Sequence, residues 1–424
     1  MKIKSSFTAY ENEKLKTAFG FKGNALTYLT QSVVYLGDGE NYGLGVGVQS
    51  VLWSDSRVFS ALGEERGNEL MYSVTKYASD MLCGREFDTP QDAIFSLIPD
   101  CLEYAKDLTG REVKQTFVLN ALVPVDLALW MLYSKTNGIG RFDRIYRGET
   151  KNTLLANIPL ITYHTDISEV VRLAKNGTCI FKIKIGSDPD RDGDPEKMLQ
   201  WDKARAKEIH DALHAVKTPY TESGRPVYYF DANGRYDTRE RLVELIDFLR
   251  DEDILDNTVL FEEPFAEENK VYVGDIPCTF AADESAHSIE DVKERINLGY
   301  KAITLKPIAK TLSVTMEMAK IARSKGVQCF CADLTVNPLM LEWNKNVASR
   351  LSPLRGMKIG VVESNGAQNY VNWDEMCRYA GLDCSCGCAF HSLSEDFYSS
   401  SYIFNAHEHY LELIKRQNGI LEEL

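Results

Sequence analysis

The chain has no stretch of roughly 18 consecutive apolar residues of the kind that spans a bilayer. Its first residues, MKIKSSFTAYENEKLK, lack the apolar core and small-residue cleavage site of a secretory leader. A cytoplasmic protein is the expectation from these two absences. Ten cysteines are present, but without the spacing of a disulfide framework. Cys179, Cys329 and Cys331 stand inside apolar runs, where reduced thiols pack as small hydrophobes. Only Cys377, Cys384, Cys386 and Cys388 crowd together, and their alternation is awkward for the paired C-x2-4-C ligands of structural zinc. Positive charge is in deficit as well: 48 Lys+Arg against 62 Asp+Glu leave a formal net charge of −14, which repels nucleic acid and anionic lipid. No nucleic-acid or membrane partner is expected, and an anionic substrate needs a local cluster of cations.

Two motifs are also incomplete. Gly43-x-Gly45-x-Gly47 lacks the spacing and strand-to-helix setting of a dinucleotide site and reads as hairpin glycines. Asp188-x-Asp190-x-Asp192-Gly193 imitates a calcium loop, yet its twelfth position is Leu199 where a bidentate Glu is needed.

What is present is regular. At 424 residues, with 44% apolar and 26% charged residues, the chain is globular in composition and long enough for a barrel of ~250 residues plus a smaller domain. Eight strand candidates alternate with amphipathic helical segments: 158–165, 179–186, 227–234, 258–265, 279–285, 302–307, 327–334 and 358–366. The spacing predicts a parallel sheet closed into a (β/α)8 barrel. Ahead of it, 32–48 reads as a hairpin with an Asp38-Gly39 turn, 66–83 and 91–106 as helices, and ALVPVDLALWMLYSK (121–135) as an apolar helix. The expected division is an α+β capping domain at 1–150, the barrel at 151–370, and a C-terminal segment at 371–424 that packs on one or the other.

The strands are apolar at their beginnings and charged at their ends. Lys184, Asp231, Glu262, Asp283, Lys306, Asp333 and Glu363 all fall in the last residues of a strand candidate or just after it, the edge that forms the active face of such barrels. Asp231, Glu262 and Asp283 end consecutive strands about 4.8 Å apart. At one height, three such carboxylates would surround an ion, and oxygen-only ligands with room for water select Mg²⁺ over Zn²⁺. The plainer alternative is three rim acids relieved by arginine or water.

The run FKIKIG (181–186) puts Lys182 and Lys184 on one side of a strand; if Ile183 and Ile185 face the helices, both ammoniums enter the barrel mouth. Ammoniums there are tolerable only when paired with acids, an ion or a bound carboxylate. The chemistry that combination suits is removal of the proton α to a carboxylate, where a cation stabilises the ene-diolate and a lysine of lowered pKa is the base.

Taken in order, KIK at 182–184, DAN at 231–233, EEP at 262–264, ADES at 282–285 and TLKP at 304–307 resemble the motifs of the enolase superfamily. The N-terminal region resembles its capping domain. The resemblance implies Mg²⁺ held by Asp231, Glu262 and Asp283, Lys184 and Lys306 as acid/bases on opposite faces, and Lys182 binding or polarising the substrate carboxylate. Asn233, Glu263 and Glu284 are implied supports or substrate contacts, as are Asp333 and Glu363; Asp333 is open between a third proton-transfer group and an ion-pair partner for Lys306, and Glu363 between binding a cation and supporting Lys306. Lysine on strand 6, without a histidine on strand 7, is closest to the muconate-lactonizing branch. Strand 8 reads Glu363-Ser364-Asn365 where dipeptide epimerases carry Asp-x-Asp, which counts against a dipeptide substrate. The expected function is Mg²⁺-dependent racemisation, epimerisation or cycloisomerisation of a small carboxylate. The alternatives are a sugar-acid dehydratase and a non-catalytic barrel. Capping loops near Phe19 to Leu26 and Trp53 are expected to set specificity. Members are commonly symmetric assemblies, which makes a homo-oligomer a partner to look for.

Overall fold

The computed structural model describes the chain apart from residues 22–23, 149, 383–388, 394–400 and 421–424. It begins with an antiparallel sheet in the order β1 (Ser5–Phe21), β2 (Asn24–Gly37), β3 (Tyr42–Gln49). The expected hairpin is β2–β3, turned where Asp38 Oδ1 accepts from the backbone N of Glu40 and Asn41 at 2.9 and 2.7 Å. Gly39 there takes φ +96°, a value open to glycine at little cost. Sequence reading passes over β1, and the expected loop at Phe19–Leu26 is still laddered backbone, with Phe19 opposite Leu26.

Four helices follow: α1 (Val51–Ser54), α2 (Ser56–Leu82), α3 (Pro90–Thr109) and α4 (Gln115–Thr136). The three glycines of β3 lie directly against α4, where a Cβ on Gly45 would stand 2.0 Å from Pro124 O. Helix α4 is apolar almost all round, and by length and composition alone it could cross a membrane, closer to a bilayer-length run than the sequence reading allows; 94% of its apolar window is buried inside the protein, so it is a core helix.

The barrel is built from β4 (Leu154–Ile158), β5 (Leu160–Ile161), β6 (Ile180–Lys184), β7 (Val227–Asp231), β8 (Thr258–Glu262), β9 (Phe280–Ala282), β10 (Ala302–Leu305), β11 (Gln328–Cys331) and β12 (Gly360–Glu363). Neighbours pair in parallel from β5 round to β12, and β12 pairs with β4. Only Pro159 separates β4 from β5, so the two halves of one strand close the ring. This first strand starts four residues earlier than the expected 158–165, because β4 is laddered on both sides, with β12 from Leu155 to Ile158 and with an antiparallel strand, β13 (Phe390–Ser392), from Leu154 to Ala156. Helices α5 (Ile167–Lys175), α6 (Pro195–Leu213), α7 (Arg239–Asp251), α8 (Ile289–Asn297), α9 (Leu312–Ser324) and α10 (Pro338–Ala348) fill the crossovers, except that 263–279, between β8 and β9, forms no helix among the described residues.

Period-2 alternation sorts the barrel residues into two cores. Phe181, Ile183, Phe230, Phe261, Ile303 and Leu305 pack outward with the helices. Ile180, Val227, Tyr229, Leu260, Ala302 and Phe330 fill the interior. The chain ends on α11 (Gly366–Asn369), α12 (Trp373–Ala380) and α13 (Ser401–Asn418). Gln417 Nε2 and Asn418 Nδ2 donate to Tyr10 O and Thr8 O at 2.6 and 3.0 Å, tying α13 to β1.

Cap and barrel meet through a buried carboxylate. Asp126, inside α4, accepts from Ser313 N at 2.9 Å and Ser313 Oγ at 2.6 Å, so the cap helix caps the N-terminus of a barrel helix. Burial pushes Asp126 up to about 7 against those bonds. Cys83, Cys101, Cys179, Cys278, Cys329 and Cys331 are free thiols. Cys377 is disulfide-bonded and is therefore no zinc ligand, and Cys384, Cys386 and Cys388 lie outside the described residues.

Candidate active site

Because Ile183 and Ile185 pack among the helices, Lys182 and Lys184 turn inward, as the alternation predicts. Register sets their partners: Lys182 lies beside Tyr229 and Lys184 beside Asp231, which lies beside Glu262. Lys182 Nζ stands 3.0 Å from Asp231 Oδ2, 2.8 Å from Glu262 Oε2 and 3.3 Å from Glu363 Oε2. Burial disfavours this ammonium, but the three acids, Asp231 foremost, hold its pKa well above the usual lysine value. Lys184 Nζ donates to Asp231 Oδ2 at 2.6 Å and to Asn233 Oδ1. Asp231 is fully buried, a desolvation that its two lysines outweigh, and it stays below the ordinary aspartate range.

Across the ring, Lys306 follows β10, four strands from β6 in a ring of eight and therefore opposite Lys184. Lys306 Nζ donates to Asp283 Oδ2 and lies 4.6 Å from the centre of the Trp53 ring, which α1 delivers from the cap. A further lysine escaped sequence reading: Lys310 is fully buried, with Nζ 2.7 Å from Asp283 O and 3.4 Å from Asp283 Oδ1. Burial lowers Lys310, with Asp283 opposing. Asp283, itself buried, is held below the usual range by Lys306 and Lys310. The signal for Lys310 was available in TLKPIAK, a lysine one turn beyond Lys306 among apolar residues, as was the inward alternation of Tyr229 and Thr304. Both of those donate to Glu262, Thr304 Oγ1 at 3.0 Å.

The expected acid trio needs correction in height. Glu262 is the register partner of Ala281, two residues short of Asp283, so the third acid stands a step above the other two. Among the described residues no three acidic, histidine or cysteine groups converge tightly enough to grip an ion; ammoniums lie between the carboxylates instead. The donor chemistry nonetheless fits a hard divalent cation. All the donors are oxygens, and Asp231, Glu262, Glu263, Asp283, Glu284, Asp333 and Glu363 outnumber Lys182, Lys184, Lys306 and Lys310. Burial, with Asp231 and Asp283 nearby, pushes Glu262 up to about 8 despite Lys182.

The remaining expected residues are brought to the same region. Glu263 and Asn233 take left-handed φ of 41° and 45°, strain that turns their side chains back toward the strand ends. Glu263 Oε2 accepts from Asp283 N at 2.8 Å and Ser285 N at 3.1 Å, fixing the loop that carries Asp283. Burial, then Glu284, pushes Glu263 up to about 8. Asn233 Nδ2 donates to Glu284 Oε1 at 2.9 Å. Asp333 accepts from Val336 N at 3.3 Å and Asn365 N at 2.7 Å, so both its oxygens hold backbone of the neighbouring loops. Burial, then Glu363, pushes Asp333 up to about 6. Leu15, Leu26 and Leu29 from the cap sheet roof the chamber over these groups.

A (β/α)8 barrel under an N-terminal α+β cap is also the fold of solved structures at 15–18% identity, one of them described as a member of the enolase superfamily, a likeness of fold. No protein-family model and no curated protein matches the sequence. Among solved structures, a dipeptide epimerase from Enterococcus faecalis V583, complexed with Mg and L-Leu-L-Tyr, is similar at 17% identity over 93% of this chain and 98% of its own, with a TM-score of 0.66. A mandelate racemase/muconate lactonizing protein from Herpetosiphon aurantiacus is 17% identical over 93% and 96%, TM-score 0.65. An N-succinyl Arg/Lys racemase from Bacillus cereus ATCC 14579 is 15% identical over 93% and 94%, also with a TM-score of 0.65.

Proposed function

We propose that this chain is an enzyme that removes the proton α to a carboxylate and returns it to give racemisation, epimerisation or cycloisomerisation. The observation that carries this reading is that Lys184 and Lys306 approach one chamber from opposite sides of the ring, with the carboxylates between them. Asp231, Glu262 and Asp283 would hold Mg²⁺, which when bound supplies the positive charge that an ene-diolate requires. The neighbouring dipeptide epimerase is described with Mg.

In this reading Lys184 removes or returns the α-proton at Nζ, because its side chain is 22% exposed while that of Lys182 is only 6% exposed and bound to three acids. Lys306 moves the proton on the other face. Lys182 stays protonated and orients the substrate carboxylate. Tyr229 and Thr304 fix Glu262, and Glu263 fixes the Asp283 loop. The cap leucines and Trp53 exclude water from the chamber, while the barrel supplies the charged groups. The dehydratase needs a proton donor near the β-carbon, Asp333 or Lys306; Asp333 spends both oxygens on backbone amides, which leaves Lys306 for that role.

Lys184→Ala tests the assignment. The variant should fold and lose exchange of substrate α-protons with deuterated solvent by about 10²- to 10⁴-fold. Exchange at the unaltered rate would reject Lys184 as the base.

A further inference from the structure

We infer that Asp202, a buried carboxylate on helix α6, is a positioning residue for the proposed base: it holds the backbone just beyond Lys184 and the turn that carries Asn233, and so sets where the Lys184 amine stands. The inference rests on the proposed function in calling Lys184 the base; the placement of that amine is tested without substrate.

Asp202 takes no part in the proposed chemistry. It is fully buried and forms no ion pair among the described residues. A carboxylate in that setting is costly unless hydrogen bonds satisfy it, and burial pushes Asp202 up to about 7 against the bonds it accepts. Those bonds come from three loops. Oδ2 accepts from Gly186 N and from Tyr236 OH, each at 2.8 Å, and Oδ1 accepts from Tyr163 OH. Tyr163 follows β5, Gly186 follows β6 and Tyr236 follows β7, so one side chain gathers the C-terminal loops of three adjacent strands. An ionised carboxylate, acceptor at both oxygens, takes all three donors and offers none in return.

The grip falls where the strand ladder stops. Ile185 N still donates to Asp231 O at 2.9 Å; Gly186 then turns away at φ +74°, and its N–H goes to Asp202 instead. Ser187 N donates to Tyr163 OH at 3.3 Å, which puts the next amide on the same support. Helix α6 also fixes the turn of that tyrosine, because Arg205 Nη2 donates to Thr162 O at 3.1 Å and to Thr165 O at 2.5 Å. On the other side, Tyr236 stands in the same turn as Asn233, whose Oδ1 is one of the two acceptors of Lys184 Nζ. The strand end that bears the base and the turn that bears its partner are thus tied to one carboxylate, which acts on the amine through both.

The test is competitive acetylation of the lysines with trace acetic anhydride, read residue by residue by mass spectrometry, in the parent protein and in Asp202→Asn. Asparagine keeps the shape but only one acceptor oxygen, so a donor goes unmet. Lys184 should gain reactivity about tenfold, the equivalent of one lost hydrogen bond, while Lys306 and the exposed Lys320 keep theirs. Tyr163→Phe, which removes a single donor and leaves the carboxylate in place, should move Lys184 the same way by less, and it decides the matter if Asp202→Asn does not fold. An unchanged Lys184 overturns the inference. A rise shared by Lys306 and Lys320 overturns it as well, since it marks a carboxylate that supports the fold without placing the base. Neither result touches the proposed function, because labelling needs no turnover. A rise confined to Lys184, together with α-proton exchange that Lys184→Ala leaves unaltered, sustains the placement and overturns the function.

Discussion

Replacing Gly45 by alanine should destabilise the protein through one seam, between β3 and α4. A Cβ at Gly45 would stand 2.0 Å from Pro124 O and 2.4 Å from Ala128 N, where ordinary contact begins at 3.4 Å. The missing separation of about 1.4 Å cannot come from a side-chain rotation, because both obstacles are backbone of a helix packed to interior density. A Cβ on Gly43 or Gly47 would likewise stand 2.1 or 2.5 Å from the same helix, so the strand lies close against α4 on both sides of Gly45 and has little room to tilt. Helix α4 must therefore move away from the sheet as a body, and it is buried along nearly its whole length. Overpacking of this kind costs about 3 kcal/mol or more, and at roughly 2 °C per kcal/mol for a long chain the melting temperature should fall by about 6 °C. Scanning calorimetry reads this directly. Gly140→Ala is the control, since its Cβ would meet nothing within 4 Å at an ordinary φ. The displacement should also reach the site, because β3 leads into α1 and Trp53, which lies on Lys306. A Gly45→Ala protein that melts with the Gly140→Ala control would refute the close-packed seam.

Three further expectations follow from buried charge. Lys182→Met leaves Asp231, Glu262 and Glu363 without their shared ammonium, and urea unfolding in EDTA should show a loss of about 3–5 kcal/mol; an unchanged midpoint contradicts the pairing. Mg²⁺ at a hundredfold excess over its Kd should raise unfolding stability by about 2.7 kcal/mol, and Asp231→Asn should abolish the rise; no response in the parent protein argues against the ion. Asp126 has a folded pKa of about 7, above its ordinary value of 3.8, so its contribution is complete below pH 4 and drains away as pH rises through 7. The stability of the parent relative to Asp126→Asn should accordingly fall between pH 4 and 7 by on the order of a few kcal/mol, and a flat difference would show that Asp126 does not titrate there.

Much of the barrel was legible because its signals are local. Strand runs separated by amphipathic helices, with apolar beginnings and charged ends, need only alternation and length to be recognised. The same alternation placed Lys182 and Lys184 inward, since Ile183 and Ile185 required the helix layer. Strand β1 was missed because its residues, Ser5 to Phe21, are mostly polar, and its partner β2 is what makes them a strand. The first barrel strand was placed late because the partners of β4, β12 and β13, both lie more than 200 residues away in the chain. Lys310 was passed over because its burial depends on Asp283 and Trp53, which come from other parts of the chain.

The sequence by itself determined which side chains enter the barrel mouth, because the pleat of a strand allows only two directions and the apolar residues claim one of them. It could not determine their heights. Whether Asp283 stands level with Asp231 and Glu262, whether a lysine or a cation lies between two acids, and whether Lys310 is buried against Asp283 all depend on register and on turns meeting across the ring. Those are relations between segments remote in sequence, and only the closed tertiary structure sets them.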